Sequence, residues 1–231
     1  MKSSQQAKLW KRGYSVDIGE WHDGAIAGRV VKALKKNGFE AVYFPLRQDA
    51  VKFVIDFVTP GMSVGLGGSA TIKQLGIPEQ AREKGADVLD HGQPDLSPEE
   101  QQDVRRRELV CDLFLSSTNA ITLDGFLVNV DGIGNRVAAL SFGPKKVIVV
   151  AGVNKICQDI DAAFERIRTY AAPMNNKRYL ALTGLDNPCS TSGVCMDCKR
   201  ESRICRIYSV IKRRPMITDY TVILVGESLG Y

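Results

Sequence analysis

The chain has 231 residues, with 31 lysines and arginines against 26 aspartates and glutamates, a formal net charge of +5. A hydrophobic fraction of 44% beside 25% charged residues excludes a disordered or low-complexity chain, and the length suffices for one large domain with a buried core. No apolar run approaches the roughly 18 to 20 residues of a membrane-spanning helix, and residues 1–16 lack the apolar centre of a secretory signal. The expectation is a cytoplasmic protein with no membrane insertion, in which six cysteines call for packing, metal or redox chemistry rather than disulfides.

Over residues 25–37, Ile26, Val30 and Leu34 recur every four positions, which predicts an amphipathic helix with Gly38 as a left-handed C-cap. Residues 41–44 read as a strand stopped by Pro45. Val51, Val54, Ile55 and Val58 then restore helical spacing as far as Thr59-Pro60-Gly61. A strand at 62–66, a short helix from Ile77-Pro78 to Gly85 and a short strand at 87–90 follow. Ser97-Pro98-Glu99-Glu100 combines an N-cap serine, a first-turn proline and a capping-box glutamate, so a helix runs from there to about Leu109. Residues 110–115, 126–130 and 146–151 read as strands, and 159–170 as a helix with Ile160, Ala163, Phe164 and Ile167 on one face. Composition shifts over 186–214, a cysteine-rich segment read as an insertion or cap within a single domain spanning 1–231. Residues 220–225 return to strand composition. The alternation predicts an α/β fold, a mostly parallel sheet covered by helices on both faces.

Three constellations carry chemistry. Gly65-Leu66-Gly67-Gly68-Ser69-Ala70-Thr71 lies between a strand and a helix, where glycines let the backbone approach a ligand and N–H groups attract a carboxylate or phosphate. Gly65, Gly67 and Ala70 also satisfy the G-x-G-x-x-A dinucleotide fingerprint, but the preceding helix, strand and helix are out of place for it, so a small anionic metabolite is the expected ligand, with a tight structural turn that binds nothing as the alternative. Next, Asn119, Asp124, Asn129, Asp131, Asn135 and Arg136 crowd around one short strand, either as a polar pocket or, for Asp124-Gly125 and Asp131-Gly132, as turns whose carboxylates cap backbone groups. Last, Cys189 and Cys205 flank the C-x-x-C pair Cys195 and Cys198, and the four can supply thiolates to a [4Fe-4S] cluster or, alternatively, zinc, or stand as reduced free thiols or a redox couple without metal. The wide outer spacing favours the cluster.

Cys111 and Cys157, each isolated in an apolar setting, read as core residues, and His22 and His91, without spaced partners, as surface residues. The basic run containing Arg200, Arg203, Arg206, Lys212, Arg213 and Arg214 has few interleaved aromatics and reads as counterions for the metal centre, not as a nucleic-acid surface.

These strings resemble the lactate-utilisation (LUD) domain family, in its branch with a cysteine-rich C-terminal segment. The resemblance rests on residues 64–71 and 118–139, on Phe142-Gly143-Pro144, on Gly152-Val153-Asn154-Lys155, on residues 171–178, on the cysteine segment and on residues 226–231. It implies a fold similar to ribose phosphate isomerase, glucosamine-phosphate deaminase and the CoA transferases, with an anion near Gly67, Gly68 and Ser69. It also implies a part in oxidation or utilisation of lactate or another small organic acid, alongside iron-sulfur redox proteins as partners. The alternative is a non-enzymatic ligand-binding or assembly subunit with a structural zinc. No catalytic residue is assigned: no counterpart of the CoA-transferase glutamate nucleophile is visible, and no lysine stands where a sugar isomerase requires one.

Overall fold

The computed structural model describes residues 17–231, so the expectation for residues 1–16 lies outside the described residues. Helix α1 (Ile18–Lys36) leads to β1 (Glu40–Phe44), α2 (Arg47–Asp56), β2 (Ser63–Leu66), α3 (Ala70–Gln74), α4 (Ile77–Glu83), β3 (Asp87–Leu89), α5 (Pro98–Glu108) and β4 (Leu113–Ser116). Then come β5 (Ala120–Thr122), β6 (Leu127–Asp131), α6 (Asn135–Ser141), β7 (Lys146–Gly152), a 3-10 turn (Val153–Lys155) and β8 (Ile156–Cys157). The chain continues through α7 (Ile160–Arg166), a π-helical turn (Ile167–Ala171), α8 (Ala172–Thr183), α9 (Cys189–Ser192), β9 (Ile207–Ile211) and β10 (Asp219–Val225).

Strands that are apolar at nearly every position need cover on both faces, and β7 and β10 meet that demand at the centre of a six-stranded sheet ordered β1-β10-β7-β4-β2-β3. All five pairings in it are parallel. Side chains alternate between two cores: Val147, Val149 and Ala151 join Val222 and Leu224 beneath α1, whereas Ile148 and Val150 join Ile223 and Val225 beneath α2, α3 and α4. This is the helix-covered parallel α/β sheet the alternation predicts.

The sequence pattern does not show a second sheet. Four short strands, ordered β8-β5-β6-β9, stand apart from the first sheet. Strands β5 and β8 are only three and two residues long, too short to display a period. Strand β9 arises inside the cysteine-rich segment, where it pairs antiparallel with β6 over five residues, from Asp131 opposite Ile207 to Leu127 opposite Ile211. Part of the expected insertion is therefore an edge of the fold.

Local signals set several boundaries. Ser97 Oγ accepts from Glu100 N at 3.2 Å while Ser97 N donates to Glu100 Oε2 at 2.8 Å, the capping box read from the sequence. The helix expected to end near residue 170 instead continues into α8 through the π-helical turn. Pro173 explains the widened turn, since its ring would collide with the carbonyl four residues back in a regular α-helix. Among the described residues no helix is long and apolar enough to cross a membrane.

Ile223 has no solvent exposure and lies on a strand paired on both sides. Ile223→Ala is expected to destabilise the chain by roughly 2 to 5 kcal/mol, read by urea denaturation.

Candidate functional site

In a parallel sheet, ligands collect where neighbouring strands send their connections in opposite directions. Here β2 leads on to β3 at one side and β4 leads towards β7 at the other. A cavity of about 380 Å³ opens at the carboxyl ends of those strands. Its floor is the 67–71 loop, Ser117, Thr118 and Asn119, and its walls come from Lys155, from the turn between β6 and α6, from Arg178 and from residues 201–204 of the cysteine segment. A Cβ at position 67 would come within 2.7 Å of Ser116 Oγ and 3.1 Å of Arg136 Cγ, so the loop can pass there only as glycine. Gly68 has φ +66° and lies beside His91.

The structure brings Gly67, Gly68, Ser69, Asn119, Asp131, Asn135 and Arg136 together on this cavity. Several of them face one another rather than a ligand. Ser69 Oγ accepts from Ile72 N at 3.3 Å and so caps α3. The Arg136 guanidinium donates to Asn129 Oδ1 at 2.6 Å, Asn119 Oδ1 at 3.0 Å, Val130 O at 2.8 Å and Ser117 O at 3.4 Å, which makes it a buttress and not a free anion anchor. Asn129, fully buried, supports that guanidinium from behind. Asp131 accepts from Gly132 N at 2.7 Å and Val137 N at 3.1 Å, the turn-capping role. Asp124 is exposed in the turn after β5, outside the cavity, and serves through its carbonyl, which accepts from Asn37 Nδ2 at 2.8 Å.

The surface reading of His91 is corrected by its place in the cavity. Its Nδ1 lies 2.7 Å from Glu108 Oε1, and Glu108 is fully buried with Asn135 Nδ2 at 3.4 Å from its other oxygen. The partner sits seventeen residues on, at the end of α5. No spacing rule could join them, because the contact depends on how α5 packs across the sheet.

Lys155 is the second residue that pattern reading left without a role. It follows β7 and is 3% exposed, with Nζ at 3.0 Å from Thr71 Oγ1, 3.0 Å from Ser117 Oγ and 3.3 Å from Thr118 O, all neutral partners. Burial first, and then the positive Arg166 and Arg136, push its amine down to about 7. Its signal in the sequence was a lone lysine just past the longest apolar strand. Arg105, also on the cavity, keeps a buried Nε with no hydrogen-bond partner.

Cys189, Cys195, Cys198 and Cys205 line one small cavity of about 10 Å³, room for roughly one water-sized body. Burial first, then the Cys195 and Cys189 thiols, push Cys205 up to about 11. Burial and the thiols of Cys195 and Cys198 likewise raise Cys189. Asp197, at φ +45°, turns its N–H towards Cys195 Sγ at 3.4 Å, an arrangement that stabilises a thiolate. Among the described residues no three Cys, His, Asp or Glu side chains stand at metal-ligand spacing. Donor type and number nonetheless suit a soft ion. Arg203 and Ile204 line this cavity and the larger one alike, and Arg203 donates to the carbonyls of Cys198 and Cys205, each at 2.7 Å. Cys111 is buried in the first core and Cys157 packs partly buried against the second sheet's core.

A LUD domain family model matches residues 27–225. The chain belongs to the LUD domain family. Among solved structures it is similar to a DUF162 family protein from Deinococcus radiodurans, at 16% identity and a TM-score of 0.49, over 88% of this chain and 98% of that one. It is also similar to eIF2B beta from Chaetomium thermophilum, at 14% identity and a TM-score of 0.35, over 50% of this chain and 44% of that one. Ribose 5-phosphate isomerase from Plasmodium falciparum matches at 19% identity and a TM-score of 0.31, over 48% of this chain and 52% of that one. No curated protein matches the LUD chain.

A buried lysine titrating low has a measurable consequence. Between about 7, its folded value, and the unfolded value of ~10.4, the unfolded chain binds more protons, so stability rises with pH across that window. Lys155→Met removes the effect. From pH 7 to pH 9 the parent chain is expected to gain roughly 2 kcal/mol relative to that variant in paired urea denaturation curves.

Proposed function

We propose that this LUD protein binds a small organic acid, lactate or a related hydroxy or oxo acid, and moves a proton on it. The observation that carries the reading is a cationic cavity with a carboxylate-held histidine on its wall. Arg105, with its Nε unpartnered, and Arg178 are the groups for the acid's carboxylate. His91 can take or give the proton of the adjacent hydroxyl, and Glu108, 2.7 Å from its Nδ1, fixes the orientation of the ring. Oxidation of such an acid sends its electrons to an acceptor outside this chain, and iron-sulfur redox proteins are the partner class the reading implies.

The four cysteines would hold either a [4Fe-4S] cluster or zinc. When bound, a cluster accepts and passes single electrons, whereas zinc pins the loop. The wide outer spacing and the apolar Val194, Met196 and Ile204 support the cluster; the small space among the thiols supports zinc and the reading of a binding or assembly subunit. In either case Arg203 and Ile204 make the cysteine segment a wall of the acid site.

Titration calorimetry with lactate, pyruvate and inorganic phosphate tests the site. Arg105→Ala is expected to weaken the best ligand about tenfold, in line with a lost charged hydrogen bond. With lactate and an artificial electron-accepting dye, His91→Gln is expected to lower kcat by roughly 100-fold or more while KM changes little. Absence of binding by any of the three ligands to the parent chain would sink the reading. For the metal, iron, sulfide and zinc analysis after anaerobic purification identifies the centre, and Cys195→Ser is expected to lose it while the parallel sheet stays folded. Four titratable thiols with no iron or zinc would remove the centre from the proposal.

A further inference from the structure

Lys155 is a cavity group that the proton-transfer reading leaves unused, and its surroundings are unusual for an ammonium. Among the described residues no carboxylate is a hydrogen-bond partner of it; two partners are hydroxyls, which can turn to accept from the amine or donate to it. Arg136 and Arg166 lie near enough to disfavour a further positive charge. The C-terminal tail covers the nitrogen from one side: a Cβ built on Gly230 would come within 3.4 Å of Nζ, and Leu229 N donates to Asn154 Oδ1 at 3.1 Å to hold the tail there. The remaining side belongs to the acid cavity.

We propose that Lys155 is a nucleophile that joins a 2-oxo acid in the cavity as an imine, an inference that rests on the organic-acid reading above and names its substrate class. The Nζ lone pair adds to the carbonyl carbon, forming a C–N bond as the carbonyl π pair moves to oxygen, which takes a proton while the nitrogen loses one. The resulting carbinolamine expels its hydroxyl, protonated, as water, and the nitrogen lone pair closes the C=N bond. Nothing is oxidised or reduced, and the sum is amine plus ketone giving imine plus water. Arg105 and Arg178 hold the carboxylate beside the reacting carbon, and His91 on the same cavity is the acid–base group for both proton transfers. An amine titrating near 7 is about half neutral at neutral pH, where an exposed lysine at ~10.4 is almost wholly protonated. The site thereby separates an oxo acid, which can be captured, from a hydroxy acid, which cannot.

The 231-residue chain is incubated with pyruvate, with lactate and with no ligand, then treated with cyanoborohydride, and the product is read by intact mass and peptide mapping. The expected result is a mass gain of one pyruvic acid less one oxygen, confined to the peptide bearing Lys155, with pyruvate only. Lys155→Arg keeps the cation and is expected to lose the adduct. Exchange of the pyruvate carbonyl oxygen with labelled water, faster with the parent chain than with Lys155→Arg, is an independent readout that needs no trapping. If pyruvate and lactate both raise the melting temperature but no adduct or accelerated exchange appears, the imine is wrong and the organic-acid site stands. Adducts scattered over surface lysines with Lys155 unlabelled also overturn the imine. If neither acid shifts the melting temperature and nothing is trapped, both readings fall.

Discussion

A guanidinium buried where two sheets meet can stay there only if its N–H groups are met, and Arg136 organises this molecule around that requirement. Its acceptors come from three places: Ser117 after the first sheet's β4, Asn119 before β5, and Asn129 with Val130 on β6. Asn119 Oδ1 also accepts from Val130 N at 3.0 Å, and Asp131 caps the turn that launches α6 and returns Arg136 to its place. The result is a polar network that fastens the small sheet to the end of the large one. Gly67 is glycine because Ser116, Arg136 and Phe114 together leave no space for a Cβ.

Charge is distributed accordingly. Arg136 is held by oriented amides and carbonyls and by the Asp131 carboxylate, whose Oδ2 lies 3.9 Å from its Nε, so it adds rigidity without offering a ligand its N–H groups. The cations left for a ligand are those with incomplete internal partners, above all Arg105. Lys155 stands between the two classes: it is satisfied in hydrogen bonds but lacks a counterion, and burial then drives it towards the neutral amine.

The cysteine segment is tied to this arrangement by backbone as well as side chains. Arg206 N donates to Asp131 O at 2.9 Å, and Gly132 lies so close to Ile204 that a Cβ there would come within 3.1 Å of its carbonyl oxygen. Asn187 Nδ2 reaches both Asn176 Oδ1 at 2.8 Å and Ser202 O at 2.9 Å, which fixes the loop against α8. Arg203 and Ile204 line both cavities, so the cysteine segment is the wall that the two share.

The amino-acid order by itself determined the parallel sheet, because β7 and β10 are apolar on both faces and can be buried only between two helical layers. It also determined the α5 capping box, which is built from residues three apart, and the glycine loop and cysteine spacing that mark the two cavities. Asp124, Asp131 and Arg136 were recognisable as polar residues crowded around one short strand, but their residue types do not say whether a carboxylate caps a turn or faces a ligand. Only the tertiary structure decided that, along with the second sheet and the pairing of His91 with Glu108. Strands of two or three residues have no readable period, and a histidine–carboxylate contact across packed elements depends on how distant segments come together in space.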